Sequence, residues 1–259
     1  MIEELAGLLE KYIRDDGSAE KFIRETVNIY LKYNQIDTMV SGINIVANAA
    51  SSYKLAGYDF YTKVIRVNAK ACLMNHLEDY NKTIFYEKIM KCVLHELVHA
   101  RQNYIISAKP NTLEYLMLRS SIFVLNDEYI NHPKRNELYY FYEMYHAYFP
   151  FERDAIITSL TIMKQVSSLI NDQFISRNLE YYFKCYLDRY NSSLCPMERL
   201  IKGIENQEMW AVMFDYKSLP MYHESVYLRN LKSLLISTKE RYRWGLYLTP
   251  LEKYKYGRQ

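Results

Sequence analysis

Three residues in one short stretch, His95, Glu96 and His99, form the pattern His-Glu-x-x-His. On an α-helix, positions i and i+4 lie one above the other, so His95 and His99 would direct two imidazoles toward one point. Glu96 would lie one residue further round the helix, within reach of a water molecule held at that point. Two imidazoles beside a carboxylate are the groups that supply two zinc ligands and a general base.

A catalytic zinc site takes a third protein ligand and leaves the fourth position for water. The segment 150–155, Pro-Phe-Glu-Arg-Asp-Ala, begins with a proline that suits the first position of a helix. Glu152 falls in the first turn of this predicted helix. The small side chain of Ala155 on the same face would let this helix pack closely beside the helix that carries His95 and His99. Glu152 is therefore the predicted third ligand. His146, in the aromatic segment before it, is the alternative.

The elements that must position these residues can be predicted from periodicity. Apolar residues at helical spacing predict the motif helix over 81–107, and Pro110 bars its continuation. Upstream, β-branched residues predict strands over 43–46 and 60–67. A strand in this position is one that a zinc peptidase would use to hold an extended substrate by edge addition. Other helices are expected within 1–33 (broken at 15–18), and over 112–131, 150–169, 172–190, 196–210 and 222–236.

The scarcity of turn-forming residues favours long helices, because the chain has only 7 glycines and 6 prolines. The expected fold class is α+β and predominantly helical, with a small sheet. We expect a core over residues 1–165, with its N-terminal helices, and a helical subdomain over 166–259 packed on that core or continuous with it.

Charge and cysteine usage exclude several classes of protein. The 33 basic residues are balanced by 30 acidic ones, so there is no electrostatic signature of nucleic-acid binding. The four cysteines are dispersed and form no CxxC, which argues against a disulfide framework and against a cysteine-rich zinc site. The N-terminus is acidic and amphipathic, and no run of about 18 apolar residues occurs. We therefore expect a cytoplasmic protein that does not span a membrane.

The stretches HELVHARQ (95–102) and PFERDA (150–155) resemble the paired helices of zincin metallopeptidases. The resemblance is to the gluzincin type, whose third ligand is a glutamate, and to small bacterial and phage-type members. It covers about residues 58–160. It implies a zincin-like core with a small sheet and an edge strand, zinc bound by His95, His99 and Glu152, and Glu96 as the base that activates water to attack a peptide bond.

The chain departs from two zincin subclasses at identifiable positions. A metzincin would carry glycine and histidine where this chain has Gln102 and Ile105. A thermolysin-like gluzincin would carry, four residues after the glutamate ligand, an aspartate that orients a histidine. That position here is Ile156, and Asp154 would point elsewhere. The resemblance therefore predicts the general zinc site without the thermolysin-like subclass.

Other residues are weaker candidates for roles in the reaction. His223 and Tyr148 are candidate hydrogen-bond donors to the oxyanion, with Tyr145 and His132 as alternatives. Arg153 is expected at the surface, and His76 is expected to be structural. The substrate is expected to be a peptide or protein. The alternative function is a catalytically silent zincin-fold protein that acts as a helical interaction or regulatory module.

Overall fold

The computed structural model describes residues 1–15, 17–46, 55–69, 82–108, 118, 131–137, 150–170, 173, 177 and 181. These residues are mostly helical and include one small mixed sheet of three strands. The predicted α+β class, predominantly helical, is confirmed at this level.

The N-terminal part forms two amphipathic helices, α1 (Ile2–Arg14) and α2 (Ala19–Asn34), as predicted. Ser18 begins α2 by accepting a hydrogen bond from the backbone N–H of Lys21 at 3.2 Å. The two helices bury their apolar faces in the main core. Their polar surfaces also meet, since Glu4 accepts a hydrogen bond from the Tyr33 hydroxyl at 2.6 Å.

The sheet contains β1 (Gly42–Val46), β2 (Ala56–Asp59) and β3 (Val64–Asn68), in the order β1-β3-β2. Strand β3 pairs with β1 in parallel and with β2 in antiparallel orientation. Ile65 and Val67 of β3 are fully buried in the core. The central strand therefore fixes the sheet to the helices.

The prediction of an edge strand over 60–67 is wrong in both extent and position. Residues 60–63 form a turn, in which the Asp59 carboxylate accepts hydrogen bonds from the backbone N–H groups of Tyr61 and Thr62 at 3.0 and 2.9 Å. The strand begins at Val64, and both of its edges are paired. Because its backbone groups already bond neighbouring strands, β3 has no edge left for an extended peptide.

Two further helices carry the predicted chemical groups. The motif helix α3 spans Lys82–Ala108, and α4 spans Pro150–Leu169, close to the predicted limits of both. Seven of the apolar residues of α3 are fully buried, which makes this helix central to the core: Ile89, Met90, Val93, Leu94, Leu97, Val98 and Ala100. Ala155 and Met163 of α4 belong to the same buried cluster.

Backbone proximity divides the chain into two compact units. One comprises Met1–Tyr104 and Ala155–Phe183, and the other comprises Ile105–Asp154 and Lys184–Gln259. The limits at 104 and 154 fall inside the continuous helices α3 and α4. The expected boundary near residue 165 stays a prediction. The helices predicted over 112–131, 172–190, 196–210 and 222–236 lie almost entirely outside the described residues.

Among the residues that the structure describes, no helix combines the length and apolar character needed to cross a membrane.

Replacing Gly17 with alanine should destabilise the fold. A methyl group there would overlap the ring of Tyr12, which is buried and packed against Phe22 and Tyr86 at ring-centroid distances of 5.1 and 5.5 Å. Because that ring has no room to move, we expect a loss of about 1–3 kcal/mol in the free energy of unfolding. Urea denaturation followed by circular dichroism measures it.

Gly7 provides the matched control, because it lies on the exposed face of α1 with no atom within 4 Å of an added methyl group. Gly7→Ala should stabilise the protein by about 0.5–1 kcal/mol through helix propensity. Equal effects of the two substitutions would contradict the crowding assigned to Gly17.

The turn at Asp59 should make stability depend on pH. Hydrogen bonds from Thr62 and then Tyr61 hold the pKa of the Asp59 carboxyl below its ordinary value of 3.8. A lowered folded-state pKa gives a contribution that is present above 3.8 and is lost as the pH falls through the folded-state value. Asp59→Ala should therefore be less stable than wild type at neutral pH, with a difference that shrinks in acid. Urea denaturation at neutral pH and at acid pH measures the difference in stability between the variant and wild type. A difference that does not change with pH would rule out the carboxylate as its source.

Candidate metal centre

His95 and His99 lie one turn apart on α3, and their rings converge. The ring centroids are 4.7 Å apart with an interplanar angle of 89°, and the two Nε2 atoms are 3.2 Å apart. The predicted convergence of the two imidazoles is therefore present.

Glu152 joins this pair from the first turn of α4. That helix begins at Pro150, and Ala155 anchors it in the core with no exposed surface. One donor atom from each of His95, His99 and Glu152 lies within 4.8 Å of the other two. Among the described residues, these three form the only group of at least three histidine, cysteine, aspartate or glutamate side chains that meets this criterion. The predicted ligand set is thus brought together.

The group fits a metal ion in both chemistry and spacing. Donor atoms of a tetrahedral zinc site with bonds of about 2.1 Å lie roughly 3.4 Å apart. The two Nε2 atoms, at 3.2 Å, are close to that separation. His99 is only 5% exposed, whereas His95 and Glu152 are half-buried. Burial on one side and access on the other is the arrangement that a site with an open coordination position requires.

Two other polar residues of α3 lie within or just after the motif. Glu96 is only 7% exposed and does not belong to the three-residue group. Its carboxylate is therefore not one of the three candidate ligands. Gln102 is fully buried, and its Oε1 lies 2.8 Å from Nδ1 of His99.

Asn103, the next residue, connects α3 to the end of β2. Its amide donates hydrogen bonds to the Tyr58 hydroxyl at 3.0 Å and to the Phe60 carbonyl at 3.1 Å. The Tyr58 hydroxyl in turn donates to the Met39 carbonyl at 2.7 Å, and burial raises the pKa of this hydroxyl. The Phe60 ring lies 6.5 Å from the His99 ring, measured between centroids. The turn after β2 is thus held beside the buried histidine.

Comparisons of the chain with protein-family models, curated proteins and solved structures found no match. The functional assignment therefore depends on the chain's own residues.

The remaining candidates have different outcomes. Arg153 is buried, with 3% exposure, so the prediction that it lies at the surface is wrong. It lies in the first turns of α4 between Glu152 and Asp154, which is also 3% exposed. Nδ1 of His132 accepts a hydrogen bond from the backbone N–H of Lys134 at 3.2 Å within the predicted turn. The other candidates lie outside the described residues: His76, Tyr145, His146, Tyr148 and His223.

Sequence reasoning missed the contacts of Gln102 and Asn103. Gln102 follows His99 by three positions, and residues at i and i+3 meet on a helix surface. That spacing was a usable signal, since metal-binding histidines commonly bond a polar group through their second ring nitrogen. Asn103 offered no comparable signal, because its partners are distant in sequence at Tyr58 and Phe60.

Removing Glu152 should weaken metal binding without unfolding the chain. We expect wild type to bind one zinc ion and Glu152→Ala to bind it more than about tenfold less tightly, because loss of even an outer hydrogen-bond partner has an effect of this size. Competition with a chromogenic chelator measures the affinity. Glu137→Ala is the matched control, since Glu137 is exposed and outside the group. Equal affinities for the two variants would remove Glu152 from the ligand set.

Proposed function

We propose that this protein is a zinc-dependent hydrolase that cleaves peptide bonds and has a zincin-like core. The observation that carries the proposal is the convergence of His95, His99 and Glu152, with the carboxylate of Glu96 next in sequence to the first histidine. This arrangement unites the ligand types of a catalytic zinc site with a residue suited to act as base.

The donor set favours zinc over magnesium and calcium. Two imidazole nitrogens and one carboxylate suit zinc, whereas magnesium and calcium prefer sites made of oxygen ligands. Three protein ligands leave a fourth position, which distinguishes a catalytic site from a structural one. The half-buried state of His95 and Glu152 supports access to that position.

A bound zinc ion would supply Lewis acidity that polarises a carbonyl group and acidifies water. The protein's own residues perform the remaining work. Glu96 accepts a proton from the attacking water and delivers it to the leaving amine, as a general base and then a general acid. Its burial limits competition from bulk water for that proton.

The proposed substrate class rests on the resemblance to zincins. With 33 basic and 30 acidic residues, the chain carries no signature of nucleic-acid binding, and a peptide or protein is the proposed substrate.

Since β3 is paired on both sides, an extended peptide would have to pair with another strand. The end of β2 is the better place, because Asn103 holds it to the helix that carries His99.

Glu96→Gln tests the proposal. The amide preserves shape but removes the base, so we expect zinc to be retained and hydrolysis of a quenched fluorescent peptide library to fall by about 100-fold or more. His95→Ala should abolish both zinc binding and hydrolysis. Full hydrolysis by Glu96→Gln would overturn the assignment of the base. A wild-type protein that binds zinc without hydrolysing any peptide would favour the alternative of a silent zincin-fold interaction module.

A further inference from the structure

The contact between Gln102 and His99 lies within a single turn of α3. Gln102 has no exposed surface, and the side-chain oxygen Oε1 is 2.8 Å from Nδ1 of His99. Burial removes water as a competing partner for this amide oxygen. The hydrogen bond therefore helps to hold the buried ring on its Nδ1 side.

With the amide oxygen Oε1 of Gln102 as the partner, the chemistry of the two groups indicates where the imidazole hydrogen lies. An amide oxygen only accepts hydrogen bonds, so the hydrogen in this contact belongs to Nδ1 of His99. A neutral imidazole carries one N–H, which leaves the lone pair on Nε2. Nε2 is the nitrogen that faces His95, at 3.2 Å from its Nε2. The lone pair is thus directed to the side where the three candidate ligands meet.

We propose that Gln102 is a positioning residue that fixes the tautomer and the ring orientation of His99, so that Nε2 is ready to bind a metal ion. The functional consequence rests on the metal site proposed above, whereas the tautomer does not. The opposite amide orientation would donate to Nδ1 and place the hydrogen on Nε2, where it would block ligation.

The use of an amide also has a consequence for affinity. A carboxylate that accepts from a histidine makes the ring more electron-rich and a stronger ligand. Gln102 orients His99 while adding no negative charge. We therefore expect His99 to be a weaker zinc ligand than a histidine bonded to a carboxylate. Gln102→Glu should then bind zinc at least as tightly as wild type.

The first experiment reads the tautomer directly. The full-length protein, labelled with ¹⁵N at histidine, is examined by NMR without metal at mildly alkaline pH, where imidazoles are neutral. The His99 signals are identified by their loss in His99→Asn. We expect the Nδ1–H tautomer in wild type and Gln102→Glu, and a substantial Nε2–H population in Gln102→Met. An Nε2–H tautomer in wild type, or no change in Gln102→Met, would overturn the proposal.

The second experiment measures zinc affinity by chelator competition. Gln102→Met should bind zinc about 10- to 100-fold less tightly, and Gln102→Glu should restore binding. Gln165→Met, which alters a half-buried glutamine on α4, is the matched control and should bind as wild type. Unchanged affinity in Gln102→Met would contradict the positioning role. If wild type binds no zinc, the proposed function fails, and the ring-nitrogen signals still decide whether Gln102 sets the tautomer.

Discussion

The constraint on which the structure depends is the presence of polar groups on a helix that forms the centre of the core. Helix α3 buries His99, Glu96 and Gln102 on a segment whose apolar residues Leu97 and Val98 have no exposed surface. Polar groups in such a place are costly unless they find partners. His99 finds them on both sides of its ring, in Gln102 and in His95. The rest of the fold supplies the packing around these buried polar side chains of α3.

Some elements pack against α3 through apolar side chains, and others contact it through hydrogen bonds. Helices α1 and α2 supply apolar faces, and the central strand β3 supplies Ile65 and Val67. Helix α4 contributes Ala155, whose small side chain suits a crowded position in the same cluster. Polar contacts add direction to this packing, since Asn103 fixes the end of β2 through two hydrogen bonds. Apolar burial therefore stabilises the helix, and specific hydrogen bonds determine what lies beside its histidines.

Periodicity was sufficient to predict the parts of the fold that depend on local pattern. The limits of α3 and α4, and the convergence of His95 and His99, follow from helical spacing and from Pro150. The approach of Glu152 to the two histidines is a tertiary contact, and the sequence suggested it only through the small Ala155 and the resemblance to zincins. Strand β2 was missed because Ala56-Gly57-Tyr58-Asp59 contains no β-branched residue, and its extended form comes from pairing with β3. The central position of β3 was missed because strand order is set by tertiary pairing, which local sequence patterns do not reveal.

The burial of Arg153 shows a second limit of sequence reasoning. A charged side chain near a helix start is usually solvated, and only the surroundings of α4 determine that this one is not. Gln102 shows the opposite case. Its spacing from His99 was visible in the sequence, but its importance depends on the complete exclusion of water, which the sequence does not reveal.

Asn103 and Gln102 are adjacent, yet Asn103 bonds Tyr58 of the sheet and Gln102 bonds His99. Each residue of an α-helix advances the direction of its side chain by about 100°. Inserting or deleting one residue between His99 and Gln102 would therefore turn both Gln102 and Asn103 by about 100° relative to His99. The stretch from His95 to Asn103 behaves as a fixed frame, in which the length of the chain matters as much as the identity of its residues.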